Sequence, residues 1–131
     1  MIRIPRHIIE SIIAQAKNEL PNEACGLLTG SENTVQRQYP LTNVDHSPEH
    51  FSFDPREQFQ VLKSARAEGL KIIANYHSHP ATPARPSEED KRLAYDPNIS
   101  YLIVSLAGEE PVVKAFSLEE GDLVPNQIEI V

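Results

Sequence analysis

The 131-residue chain has one cysteine, Cys25. A single thiol forms no internal disulfide and no cysteine-based zinc cage. No run of about 18 apolar residues is present to cross a membrane. The opening residues, Met1 to His7, lead straight into an amphipathic pattern and contain no apolar core of a secretion signal. Clusters of lysine and arginine are also missing, and the formal net charge is -7. A nucleic-acid or anionic-membrane binder needs a basic stripe to meet phosphate, and none is visible. These absences disfavour a disulfide scaffold, a membrane protein and a nucleic-acid binder. They point to a reducing, cytoplasmic setting.

What is there suits a globular protein. Apolar residues make up 40% and charged residues 24%, both ordinary for a folded domain. The length predicts one domain, residues 1–131, with one core. Ile8, Ile9, Ile12, Ile13, Ala16 and Leu20 recur at helical spacing, so a helix is expected over 6–20. Strands are expected over 23–30, 35–41 and, briefly, 51–53. Asp54, Pro55 and Glu57 read as the capped start of a second helix, with Phe59, Leu62 and Ala65 on its buried face and Gly69 at its stop. A strand over 70–79, a proline-rich loop, a short helix from Ser87 to about Tyr95, and strands over 101–106, 112–116 and 127–131 complete the pattern. This order predicts an α/β fold with a mixed sheet flanked by helices.

Chemistry concentrates in one stretch: His77-Ser78-His79, seven residues, Ser87, two residues, Asp90. In a strand, residues i and i+2 face the same way, so both imidazoles can reach one ion. The loop between carries Pro80, Pro83 and Pro86, and can return a helix start to the strand end. Two histidines and one aspartate leave a fourth zinc position open, as a catalytic site requires. Glu23, at the start of an apolar strand, is the candidate to take a proton from water and deliver it to a leaving amine. Ser87 is the candidate donor to a developing oxyanion. Each feature has a plainer explanation taken singly. Ser87 and Asp90 also form the S-x-x-D pattern of a helix cap, and Glu23 alone reads as an exposed strand-end carboxylate. The joint spacing carries the weight.

That joint pattern resembles the JAMM/MPN+ metalloprotease signature, with no position missing. Asn75, Tyr76 and Pro80 around the two histidines are also similar to the family. The resemblance runs over nearly the whole chain. It implies the MPN fold, similar to the cytidine-deaminase-like arrangement, with one zinc ion per chain on His77, His79 and Asp90. It further implies Glu23 as the group that activates water and Ser87 as the group that steadies the tetrahedral intermediate. The substrate class it implies is the amide bond after the C-terminal glycine of a ubiquitin-like protein. A short chain has little room for the insertions with which larger members grip ubiquitin. The resemblance therefore points to ubiquitin-like sulfur-carrier proteins, with release of cysteine or another adduct. A peptidase of cell-wall or phage-tail peptides and a catalytically silent MPN binding module are the alternatives. An extended Gly-Gly tail fits along a sheet edge by strand addition, and the polar loop 43–50 and the proline loop are expected to wall its groove.

The remaining reactive residues read as structural. Cys25 lies in an apolar strand, as a buried thiol does. Asp45, His46 and His50 read as a solvated loop rather than a second metal site. Phe51 and Phe53 read as core, and His7 has no assigned role.

Overall fold

The computed structural model describes all residues, 1–131. In chain order the elements are β1 (Ile2–Ile4), α1 (Arg6–Glu19), β2 (Cys25–Ser31), β3 (Thr34–Leu41), α2 (Pro55–Ala67), β4 (Lys71–His79), α3 (Glu88–Leu93), β5 (Ser100–Ser105), β6 (Val112–Glu119), β7 (Asp122–Asn126) and β8 (Ile128–Ile130). The strands form one eight-stranded sheet in the order β7-β6-β5-β4-β2-β3-β1-β8. It is mixed. β4 and β5 run parallel, as do β1 with β8 and β1 with β3, and the other pairs are antiparallel. Strands β7 and β8 lie at opposite ends of this order, yet only Gln127 separates them. The sheet therefore curls until its two ends are joined by a single stretch of backbone.

The apolar stripe of α1 drives its packing. Ile8, Ile9, Ile12 and Ala16 are buried against Leu28, Ala74, Tyr76, Leu102, Val104 and Ala115 from one face of the sheet. Burial of this kind contributes roughly 25 cal/mol per Å² of apolar surface. Leu20, expected on the stripe, falls one residue past the helix and is half exposed. Strand alternation sends Leu27, Asn75, His77, Tyr101 and Ile103 to the other face, which a cleft overlies together with residues of α2 and α3.

Several local expectations need correction. Asp54 caps α2 by accepting from the Arg56 N–H, and Gly69 stops the helix region at φ +72°. Glu57 does not complete a capping box. Its carboxylate accepts from the Thr42 N–H and Oγ1–H, both at 2.8 Å, and ties α2 to the end of β3. Phe59 is 54% exposed, and Val61 and Ala65 form the buried face. Two residues turn a helix by about 200°, so Phe59 and Val61 cannot share a side. The stretch 51–53 contributes only an isolated bridge between Asn43 and Phe53. Strands β1 and β7 were not expected, being short and, in β7, interrupted by Pro125.

Candidate metal centre

His77 and His79 lie at the end of β4, on either side of Ser78, and are each 5% exposed. Asp90 reaches them because the intervening loop is fixed at several points. Ser105 Oγ donates to Thr82 O at 2.6 Å, and the Arg85 N–H donates to Pro83 O at 2.8 Å. Ala84 is buried against Ile103 and Phe116. The loop ends in a full capping box: Asp90 N–H donates to Ser87 Oγ at 3.0 Å, and Ser87 N–H donates to Asp90 Oδ2 at 2.9 Å. The cap therefore exists as read from S-x-x-D, and it also aims the carboxylate.

Three donor atoms converge as a result. His77 Nε2 lies 3.1 Å from His79 Nε2, and each lies 3.2 Å from Asp90 Oδ2. This is the one cluster of three such groups in the chain whose ligand atoms lie within 4.8 Å of one another. Ligand bonds of about 2.0–2.1 Å in a tetrahedron give edges of about 3.3–3.4 Å, so the spacing matches three corners of a zinc-sized site. The tautomer strengthens the case. His79 Nδ1 lies 2.9 Å from Pro83 O, which has no proton to give, so Nδ1 carries the hydrogen. In the neutral ring Nε2 then presents a lone pair to a carboxylate oxygen. A proton on Nε2 relieves that crowding in part. A divalent cation among the three relieves all of it.

The charge states follow from the same contacts. Burial alone would raise Asp90, but hydrogen bonds from His77 and His79, the charge of His77 and the Ser87 N–H hold its carboxyl well below the usual range. Burial alone would lower His79, but Asp90 and the Pro83 carbonyl raise it.

Glu23 is 4% exposed, and its Oε1 has no hydrogen-bond partner. Burial pushes its carboxyl up to about 8, against the lowering effect of His79 and with smaller raising effects of Asp90 and Glu89. Cys25 pairs with His77 across β2 and β4, so extending that register by two places sets Glu23 level with His79. A buried carboxylate oxygen without a partner is rare. Ser87 is exposed. Its Oγ accepts from the Asp90 N–H, which leaves the hydroxyl proton free to donate elsewhere.

Cys25 is fully buried, its thiol pushed up to about 12 by burial first and by surrounding carboxylates second. It is the inert thiol expected. His50 Nδ1 meets Asp45 Oδ2 at 3.0 Å, the Ser52 hydroxyl donates to the same oxygen at 2.8 Å, and no third histidine, cysteine or carboxylate joins them.

Sequence reasoning missed Asn43 and Phe51. The Phe51 ring stacks on the His77 imidazole at 4.6 Å between centroids and 23° between planes. Asn43 is buried and bonds to the backbone of Glu23. Nothing local marks either residue, since each acts on a partner 20 or more positions away. A cleft of about 380 Å³ opens beside His77 and Asp90, walled by Phe51 to Phe53 and Gln58 on one side and by Leu93 to Asp96 on the other. Neither the 43–50 loop nor the proline loop lines it.

A profile of the prokaryotic homologs of the JAB domain matches residues 5–119. The chain belongs to that family. Among JAB-domain relatives, the CysO-cysteine peptidase of Mycobacterium tuberculosis is 30% identical over 127 residues, covering 95% of this chain and 87% of that protein. The probable TtuB-protein conjugate cleaving protease of Thermus thermophilus is 38% identical over 125 residues, covering 95% and 80%. A Desulfitobacterium hafniense protein, solved in solution, superposes with a TM-score of 0.90 at 50% identity, covering 100% of this chain and 93% of that one. The JAB1/MPN domain protein of Archaeoglobus fulgidus shares the fold, with a TM-score of 0.64 at 24% identity over 98% of this chain and 97% of that one. The JAB-domain chain thus has the MPN fold, a mixed sheet flanked by helices.

Proposed function

We propose that this protein is a zinc-dependent peptidase that hydrolyses the amide bond after the C-terminal glycine of a ubiquitin-like sulfur-carrier protein, releasing cysteine or another adduct. The observation that carries the reading is the convergence of His77 Nε2, His79 Nε2 and Asp90 Oδ2 at 3.1–3.2 Å from one another beside the unpartnered Oε1 of Glu23. Relatives with the names of a CysO-cysteine peptidase and a TtuB-conjugate protease support the substrate class.

In this reading His77, His79 and Asp90 hold one zinc ion per chain. A zinc ion there supplies Lewis acidity, which makes water acidic near neutral pH and polarises a carbonyl. Glu23 provides the base. Its buried carboxylate, level with His79, takes a proton from water and returns it to the leaving amine. Ser87 keeps its backbone N–H on Asp90, and its free hydroxyl proton donates to the carbonyl oxygen as negative charge develops there. The cleft beside His77 and Asp90 gives the tail an apolar wall in place of water. No helix of the chain is long and apolar enough to cross a membrane, and the reading places the reaction in the cytoplasm, carried by one domain spanning residues 1–131.

The direct test is to incubate the protein with a sulfur carrier bearing a C-terminal cysteine and to follow the carrier's mass. Loss of one cysteine, absent after chelation and absent in Glu23→Gln, is the expected result. No loss from a sample holding stoichiometric zinc sinks the substrate assignment while leaving the metal site standing.

A further inference from the structure

The loop after β3 closes on the metal centre through one side chain. An asparagine amide offers two N–H donors and an oxygen with two lone pairs. Asn43 uses all four. Its Nδ2 donates to Glu23 O and to His50 O, each at 3.1 Å, with Ser47 O further off at 3.5 Å. Its Oδ1 accepts from the Asp45 N–H at 3.1 Å and the Ser52 N–H at 3.3 Å. Two of these partners, His50 and Ser52, flank Phe51 on either side. A third is the backbone of Glu23 itself.

Phe51 in turn covers a face of His77, and it leans on Phe53 at 5.4 Å between centroids. The loop backbone adds two more ties: the Glu23 N–H donates to Ser47 O at 2.8 Å, and the Val44 N–H donates to Ser52 O at 3.1 Å. One buried amide therefore sets the height of the Glu23 backbone on one side and the seat of the ring against His77 on the other. A loop built only to cover the sheet needs neither a saturated amide nor a flat ring stacked on an imidazole.

We propose that Asn43 and Phe51 form a positioning pair: Asn43 fixes Glu23 relative to the His77-His79-Asp90 cluster, and Phe51, held by Asn43, fixes the plane of the His77 ring. This rests on the reading of those residues as base and metal ligands. Neither member touches the reacting atoms. Their effect is on geometry, as for groups that orient a metal ligand from behind.

Cobalt(II) binding is the first readout, because its affinity and visible spectrum report ligand geometry without any substrate. Asn43→Asp keeps the shape and the oxygen that accepts from the Asp45 and Ser52 N–H groups, but turns a second oxygen toward two carbonyl oxygens. Phe51→Leu keeps apolar bulk but removes the flat face, and Phe51→Tyr restores it. Folded Asn43→Asp and Phe51→Leu are expected to bind cobalt about 10- to 100-fold more weakly with altered bands, and Phe51→Tyr to match the wild type. Turnover of the cysteine-bearing carrier should fall in Asn43→Asp with the Michaelis constant unchanged. If Asn43→Asp fails to fold, Phe51→Leu against Phe51→Tyr decides the matter. Wild-type cobalt affinity and bands in Phe51→Leu overturn the pair. Wild-type protein that binds no cobalt overturns the metal reading and the pair with it.

Discussion

His79 donates through Nδ1 to the carbonyl oxygen of Pro83, 2.9 Å away. That bond fixes the tautomer, and with it the direction of the lone pair on Nε2. The proline loop thus orients one histidine of the cluster and delivers the aspartate that completes it.

Removing that aspartate should empty the site. Asp90→Ala is expected to lose stoichiometric zinc on gel filtration, measured by elemental analysis, while the wild type retains it. The variant also loses half of the capping box, so its melting temperature should drop by an amount equivalent to about 1 kcal/mol. Full zinc retention by folded Asp90→Ala would mean that the ligand set is wrongly assigned.

Glu23 makes the metal-stripped protein sensitive to alkali. Its carboxyl is raised by burial from 4.5 to about 8. Between those values the unfolded chain has released this proton and the folded chain has kept it. The folded state binds more protons, so stability falls as pH rises from 4.5 to 8 and levels off beyond. His79 moves stability in the same direction, since burial lowers it but Asp90 and the Pro83 carbonyl raise it above 6.5 overall. Glu23→Gln isolates the Glu23 part. In urea titrations with chelator, Glu23→Gln should be more stable than wild type at pH 8, with the gap narrowing by pH 5. With zinc restored it should keep its metal and lose turnover by about 10²- to 10⁴-fold. Equal pH profiles for the two proteins would remove the buried carboxyl from the account.

Ser87 has two separable roles. Its Oγ accepts from the Asp90 N–H, which Ser87→Ala removes at a cost of about 1 kcal/mol in unfolding free energy. If its hydroxyl also donates to the oxyanion, turnover falls by about a hundredfold with zinc retained. A stability loss with turnover intact leaves the cap as its whole role.

Gly26 is required by a neighbour. A Cβ there would lie 2.2 Å from the Tyr76 hydroxyl, which donates to Gln15 Oε1 and accepts from Gln38 Nε2. Tyr76 is 1% exposed, two positions from Ala74 and one from His77. Gly26→Ala should destabilise the protein by about 1–3 kcal/mol through overpacking, read from urea midpoints. An unchanged midpoint would show that the ring moves aside freely.

The legible parts of the site were the local ones. His77 and His79 follow from a two-residue strand period, and Asp90 from a helix-start pattern three residues past Ser87. Helix α1 followed from its isoleucine spacing. Residues whose partners are distant in sequence stayed hidden. Asn43 bonds to Glu23, and Phe51 stacks on His77, and no window of adjacent residues contains either pair. Phe59 misled because an aromatic near a helix start reads as core, whereas the phase is set by Val61 and Ala65 and leaves Phe59 beneath the Lys63 ammonium. Strands β1 and β7 are defined by what they pair with, and three or five residues carry too little pattern to announce it.

The nine residues from Asp122 to Ile130 bind the two ends of the sheet as a clasp. Their first half pairs with β6 and their second half with β1, and both lie outside residues 5–119 matched to the family. Opening the clasp frees the outer edges of β6 and β1 in one event, although these strands sit more than a hundred residues apart in sequence. Amide protons there should exchange with solvent at a common free energy, as one cooperative unit. The His77-His79 end of β4, paired with β2 and β5 in the middle of the order, belongs to the part of the sheet that such an opening leaves paired.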